Sequence, residues 1–265
     1  MTGSEGYAFP HTNADERRRL QLLAQRLDPI TIRRVERLAL AHTARCLEVG
    51  GGQGSIARWL CEYVGQGGRV TATDLETDFL EQLSLPNLEV LRHDVTTDEF
   101  PVESFDFVHA RAVLMHLGQR MATLRRMVSW LAPGGWLLVE DADFGMWLGD
   151  YDPIWSAHPR VVQQAFPNLS LSQGRALLRQ VHQLELTDIG ADAELDIVQP
   201  GTPQAEFYRL SMAATEAPVV AAGVLTTDEA GKLVRRLGEP DFLGCGFAFI
   251  GAWGRRAMDP SYRGR

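Results

Sequence analysis

The chain has 265 residues, 45% of them apolar and 23% charged, a balance that excludes global disorder and at roughly 150 residues per domain suggests one large domain, or one domain with an insertion. A formal charge of −8 argues against the basic footprint of a nucleic-acid protein. The three cysteines, Cys46, Cys61 and Cys245, are scattered and form no CxxC pair, so neither a zinc site nor a disulfide framework is indicated.

Residues 1–44 read as one or two amphipathic helices, carrying Leu20, Leu23, Leu27, Ile32, Val35 and Leu38. The start lacks an apolar h-region and no apolar run approaches the ~18 residues of a span, so a cytoplasmic protein without membrane contact is expected. Cys46–Val49 is a short strand that ends in glycines. A helix with Ile56, Trp59, Leu60 and Tyr63 at i, i+3, i+4, i+7 follows, broken by glycines at 65–68. Strands are expected at 69–74, 88–92, 105–110 and 136–140, with helices at 77–83 and 122–131 between them. Residues 142–170 read as irregular and aromatic. A helix over 172–187, strands at 193–198 and 247–253, and helices near 203–216 and 226–238 complete the chain. Strand and helix alternating in this way imply a parallel sheet covered on both faces.

Leu47-Glu48-Val49-Gly50-Gly51-Gly52-Gln53-Gly54 is the most informative segment. Glycines after a strand let the backbone approach a ligand closely. A dinucleotide site wants GxGxxG, whereas Gly50, Gly52 and Gly54 give GxGxG and Ser55 stands at the dinucleotide position. A carboxylate at Glu48 would repel a pyrophosphate and attract an ammonium group.

This segment resembles the first motif of class I S-adenosylmethionine-dependent methyltransferases. Further segments match that family in order. Asp74 ends the second strand, followed by Leu75, where the family's acidic residue holds both ribose hydroxyls. Asp94-Val95 resembles the adenine-binding pair. Residues 104–108, leading to Ala110 and Arg111, and residues 131–137 resemble the fourth- and fifth-strand motifs. The resemblance implies a Rossmann-like α/β sheet of seven strands, mostly parallel with an antiparallel last strand. It implies S-adenosyl-L-methionine as cofactor, held by Glu48, Gly50, Gly52, Gln53, Gly54, Asp74, Leu75, Asp94, Val95, Ala110, Arg111 and His116. Tyr7 to His11, Arg19-Leu20 and Leu27 to Thr31 resemble the lid helix of small-molecule methyltransferases of bacterial natural-product and quinone type. That places Tyr7 and Arg19 near the cofactor's methionine end. The domains expected are a lid over 1–44 and a methyltransferase domain over 45–265, with a substrate cap at 142–187.

His116, after the fourth strand, would face the junction of cofactor and substrate. It is either a base or orienting group for the acceptor or a pocket histidine without proton chemistry, and an ordinary pKa near 6.5 would allow either role. His11 and Tyr7 are the alternatives on the lid. Asp143 and Asp141 face the substrate space or are solvated loop residues. Phe144, Trp147, Trp155, Phe207, Tyr208 and Met212 are core by base rate, yet their concentration around the cap points to an apolar, aromatic small molecule. The expected reaction is in-line methyl transfer to an oxygen, nitrogen or carbon acceptor, an indole ring among them, without a metal. A fold relative that catalyses cyclisation or only binds cofactor is the main rival. A nicotinamide-dependent oxidoreductase is opposed by the loop spacing. A homodimer is compatible with the sequence, and nothing in the sequence demands one.

Overall fold

The protein is seen in a computed structural model, which describes residues 14–258. In chain order its elements are α1 (Ala14–Leu38), β1 (Arg45–Val49), α2 (Ser55–Val64), β2 (Arg69–Asp74), β3 (Leu88–Arg92), β4 (Phe105–Arg111), α3 (Arg120–Trp130), β5 (Leu131–Asp143), α4 (Gly145–Leu148), α5 (Pro153–Ala165), α6 (Gln173–His182), β6 (Thr187–Val198), α7 (Pro203–Ala221), α8 (Thr227–Arg236) and β7 (Gly244–Arg255). The strands form one sheet in the order β3-β2-β1-β4-β5-β7-β6. Strands β1 to β5 pair in parallel, and β7 runs antiparallel to both β5 and β6. The seven-stranded fold and its antiparallel last strand therefore stand as expected.

Cys46 to Val49 are buried without alternation, as a central parallel strand covered on both faces requires. Leu47, Val49 and Val108 pack on one side with Leu124 and Trp130. Cys46 and Phe107 pack on the other with Ile56, Leu60 and Val35 of α1. Each such side chain contributes ~1.5–3 kcal/mol of burial. No helix among the described residues is long and apolar enough to cross a membrane.

Four expectations of local structure change. The helix expected over 172–187 ends at His182, and the strand expected at 193–198 begins at Thr187. The helix expected at 77–83 is a single 3-10 turn at Leu80–Gln82. Strand β5 begins at Leu131 and runs through the Pro-Gly-Gly segment, with a register shift against β4 between Phe105 and Phe107. The stretch 142–170 is not irregular, because it holds α4 and α5. Asp152 caps α5, its Oδ1 accepting from Ile154 N at 3.0 Å and Trp155 N at 2.9 Å, and Pro153 sits at the helix start. Pro159 lies inside α5 and has no N–H to give to the carbonyl of Trp155, four residues back. The indole of Trp147 takes that carbonyl instead, Nε1 donating at 2.7 Å.

Helix α1 is fastened to the sheet by charge. Asp192, Glu194 and Asp196 recur every second residue on one face of β6. Arg34 Nε donates to Asp192 at 2.6 Å, Arg37 Nη1 to Asp192 at 2.9 Å and Arg26 Nε to Asp196 at 3.0 Å, and Arg33 pairs with Glu194. Gly251 of β7 makes room for this contact, since a Cβ there would stand 2.7 Å from Arg34 Cζ.

Candidate active site

A cavity of about 490 Å³ opens where the carboxyl ends of β1 to β4 meet α4, α5 and α7, the edge at which open α/β sheets bind ligands. Gly50, Gly52 and Gln53 line it, together with Asp74, Leu75, Asp94, Val95 and Arg111. Gly52 has φ +54°, and a Cβ on it would meet nothing within 4 Å, so this position is open toward a ligand. Gly54 is different. It opens α2 with φ +77°, and a Cβ would stand 2.4 Å from Leu83 Cδ1, so it is a packing glycine and does not line the cavity.

Asp74 is held by the backbone: Oδ2 accepts from Gly52 N at 2.9 Å and Oδ1 from Leu75 N at 2.7 Å. Asp94 Oδ1 accepts from Thr96 N at 2.8 Å and Thr96 Oγ1 at 2.6 Å. Gln53 Nε2 donates to the carbonyl of Arg17 at 3.1 Å. Arg111 Nη1 donates to Asp28 of α1 at 2.8 Å, so Arg111 also anchors α1. Arg19 lines the cavity with its guanidinium forked on Glu16, at 2.7 Å for both Nε and Nη2, and 5.9 Å from the Phe207 ring centroid.

Glu48 departs from its expected position, because its carboxylate turns away from the cavity into the sheet. Nδ1 of His109 donates to Glu48 Oε2 at 2.6 Å, and Nε2 donates to Glu140 Oε2 at 2.9 Å. Glu140 also accepts from Thr31 Oγ1 and Arg34 Nη1, both at 2.6 Å. Burial opposes a charge on His109, but the two carboxylates outweigh it and raise its pKa to about 9. Glu140 is likewise opposed by burial and lowered to about 2 by His109, Arg34 and Thr31. Ala110 is also a core residue of β4 and does not border the cavity.

The end of the cavity beside α4, α5 and α7 is apolar. Phe144, Trp147, Phe207 and Tyr208 line it, joined by Phe247 and Phe249 of β7. Trp155 and Met212 do not. They are buried behind the wall, Trp155 stacked on Trp147 with centroids 4.4 Å apart and its Nε1 donating to Cys245 O at 2.8 Å. Asp143 also lies outside the cavity, bound to Arg175 of α6. Asp141 is fully buried beneath the turn of Leu114 and Met115 without a well-formed hydrogen bond, and burial pushes its carboxyl well above the usual range. Tyr208 Oη donates to Asp196 Oδ2 at 2.9 Å and accepts from Phe247 N at 3.0 Å.

His116 lines the cavity. Burial, helped by Arg19 and Arg120, lowers its pKa to about 4, so the ordinary value near 6.5 does not apply. Tyr7 and His11 lie outside the described residues. Two histidines in the wall, His93 and His158, carried no motif by which the sequence would have marked them.

Residues 47–139 match the family model for a methyltransferase domain. The methyltransferase str3 of Strobilurus tenacellus is 36% identical over 107 residues, covering 40% of this chain and 38% of the relative. The (S)-coclaurine N-methyltransferase of Papaver somniferum is 28% identical over 156 residues, covering 54% and 43%. The chain thus spans less than half the length of these curated relatives. Among solved structures, phosphoethanolamine N-methyltransferase 2 of Haemonchus contortus, in complex with S-adenosylhomocysteine, shares the fold with TM-score 0.55 at 16% identity, over 91% of this chain and 53% of that one. The cyclase SpnF shares it with TM-score 0.52 at 18% identity, over 89% and 83%. Residues 47–139 are thus similar to a methyltransferase domain, and the seven-stranded sheet shares the fold of these solved structures.

Proposed function

We propose that the protein transfers a methyl group from S-adenosyl-L-methionine to a small, largely apolar aromatic acceptor of natural-product type. The observation that carries this reading is one cavity with two chemistries, a glycine-and-carboxylate end at the sheet and an aromatic end beneath the cap. The residues present fit the cofactor. Gly52 leaves open space beside an oriented Asp74 carboxylate suited to ribose hydroxyls, and Asp94 with Val95 offers an acceptor and an apolar wall for adenine. When bound, the cofactor supplies an electrophilic methyl on a sulfonium.

The chain's own part is alignment and exclusion of water. With a pKa of about 4, His116 is neutral at pH 7 and too weak a base to strip a phenol, so its role is to hold the acceptor in line. The acceptor wall extends from the cap at 142–187 onto α7 and β7 through Phe207, Tyr208 and Phe247. In this reading α1, within the 1–44 segment, covers the site from the other side through Arg19 and Leu23.

Incubation with S-adenosylmethionine and a panel of phenols, arylamines and indoles, followed by mass spectrometry, tests the reading. Gain of one methyl on an aromatic member is the expected result. A product of unchanged mass with a new ring would favour the cyclase alternative. Failure of calorimetry to detect cofactor binding would sink both.

A further inference from the structure

Helix α5 places His158 in the cavity wall. The imidazole is buried and lies nearly parallel to Trp147, with centroids 5.5 Å apart and an interplanar angle of 14°. Trp147 is itself fixed by its bond to the Trp155 carbonyl that Pro159 leaves free and by stacking on the Trp155 ring. The stack thus sets the plane of the His158 ring.

Its nitrogens are not satisfied by the protein. Nδ1 is sealed from solvent and has no hydrogen-bond partner, whereas Nε2 is not among the sealed atoms and no described residue bonds to it. Burial alone lowers the pKa of His158 to about 4, so the ring is neutral at pH 7. A sealed N–H without a partner is rarer in folded proteins than a sealed lone pair, which favours the tautomer with the proton on Nε2.

The hydroxyl protons nearby are committed elsewhere. Tyr208 donates to Asp196, Ser211 Oγ to the Phe207 carbonyl at 2.8 Å, and Thr215 Oγ1 to the Ser211 carbonyl at 3.0 Å. We infer that His158 is the polar anchor of the aromatic end: its Nε2–H donates to a neutral oxygen, hydroxyl or carbonyl, carried on the ring system of the bound acceptor. A neutral donor offers a carboxylate no charge to pair with, so the ligand class is an uncharged oxygenated arene. This inference rests on the methyltransferase reading for the identity of the ligand as acceptor.

Calorimetry on protein saturated with S-adenosylhomocysteine, using 2-naphthol and naphthalene as probes, tests it. Wild type is expected to bind 2-naphthol about three- to tenfold more tightly than naphthalene, the range of one neutral hydrogen bond. His158→Phe keeps the stack on Trp147 and should bind naphthalene as before while losing the preference. His158→Gln, which retains a donor, should recover part of it. S-adenosylhomocysteine affinity should be equal in all three proteins.

Equal binding of the two arenes by wild type, no binding of either, or a preference that survives in His158→Phe overturns the inference while leaving the methyltransferase reading intact. Should His158→Phe not fold, nitrogen-15 spectra of wild-type His158 decide: Nε2 must move with 2-naphthol and not with naphthalene, and an unmoved resonance overturns the anchor. Loss of S-adenosylhomocysteine binding in wild type would instead mark failure of the methyltransferase reading, and the inference would fall with it.

Discussion

Beneath α1, His109 has a carboxylate on each ring nitrogen, with Arg34 and Thr31 completing the cluster. In the cap, His158 lies against Trp147 with a sealed, unpaired Nδ1. Both rings are buried, yet one pKa rises to about 9 and the other falls to about 4. Depth alone therefore does not set the charge of a buried histidine here; the neighbours do. The first region is saturated, with its charges compensated across β1, β4, β5 and α1, and it fixes shape. The second keeps hydrogen-bonding capacity in reserve, which is what a receptor for a ligand needs.

The contrast is sharpest if the saturated cluster is broken. Arg34→Ala leaves Glu140 buried with one cation fewer, and should lower stability by ~3–5 kcal/mol in urea denaturation. A loss under ~1 kcal/mol would mean that the cluster is open to water. The same region predicts a pH dependence. His109 stays protonated in the folded chain above the ordinary value of about 6.5, so its contribution is full below that pH and is lost as pH rises toward 9.

The cap predicts the opposite limb. The unfolded chain protonates His158 below about pH 6.5, while the folded chain resists until about 4, so stability should fall as pH drops through that window. The effect of this residue is up to about 3 kcal/mol. His158→Phe should flatten the acid limb and leave the alkaline limb alone. If the variant melts with the wild-type profile from pH 6.5 to 4, His158 is solvated and the contrast fails.

Two smaller effects concern the cavity itself. Asp74→Ala should weaken S-adenosylmethionine binding by about tenfold to a hundredfold, since hydrogen bonds from ribose hydroxyls to an ionised carboxylate are charge-assisted. Unchanged affinity in the folded variant, read by calorimetry, would remove Asp74 from the cofactor site. His116→Ala should leave that affinity intact and slow turnover about tenfold, with no inflection near pH 6.5 in the wild-type rate profile. A fall beyond about a hundredfold would restore a general-base role, which contributes 10²–10⁴.

The strand number, the mostly parallel sheet and the spacing of the glycine loop and Asp74 were legible in the sequence, because glycines, a strand end and an acidic residue at set spacing mark them locally. Glu48 shows where local reading stops. Its partner His109 is 61 residues away on a neighbouring strand, and no pattern within the first motif tells an inward carboxylate from an outward one. The cap was hidden for another reason. Residues 142–170 read as irregular, whereas Pro153 starts α5 and Pro159 only releases a carbonyl that Trp147 takes up. Trp155 and Trp147 looked alike in sequence, and only packing separates the one behind the wall from the one in it.

The charged seam between α1 and β6 also bears on how the chain finds its fold. Side chains on a strand alternate with a period of two, so slipping β6 by one residue would carry Asp192, Glu194 and Asp196 to the opposite face. The arginines of α1 match one register of β6 and penalise its neighbours. Strand β6 is an edge strand, with β7 alone beside it, and thus has the fewest other constraints. These contacts join residues 155 to 170 positions apart in the chain, among the slowest kind to form. An early-synthesised helix therefore acts as the template that proofreads one of the last strands. Shortening the chain from its start past Arg26 would disturb the far edge of the sheet as well as the cover of the site.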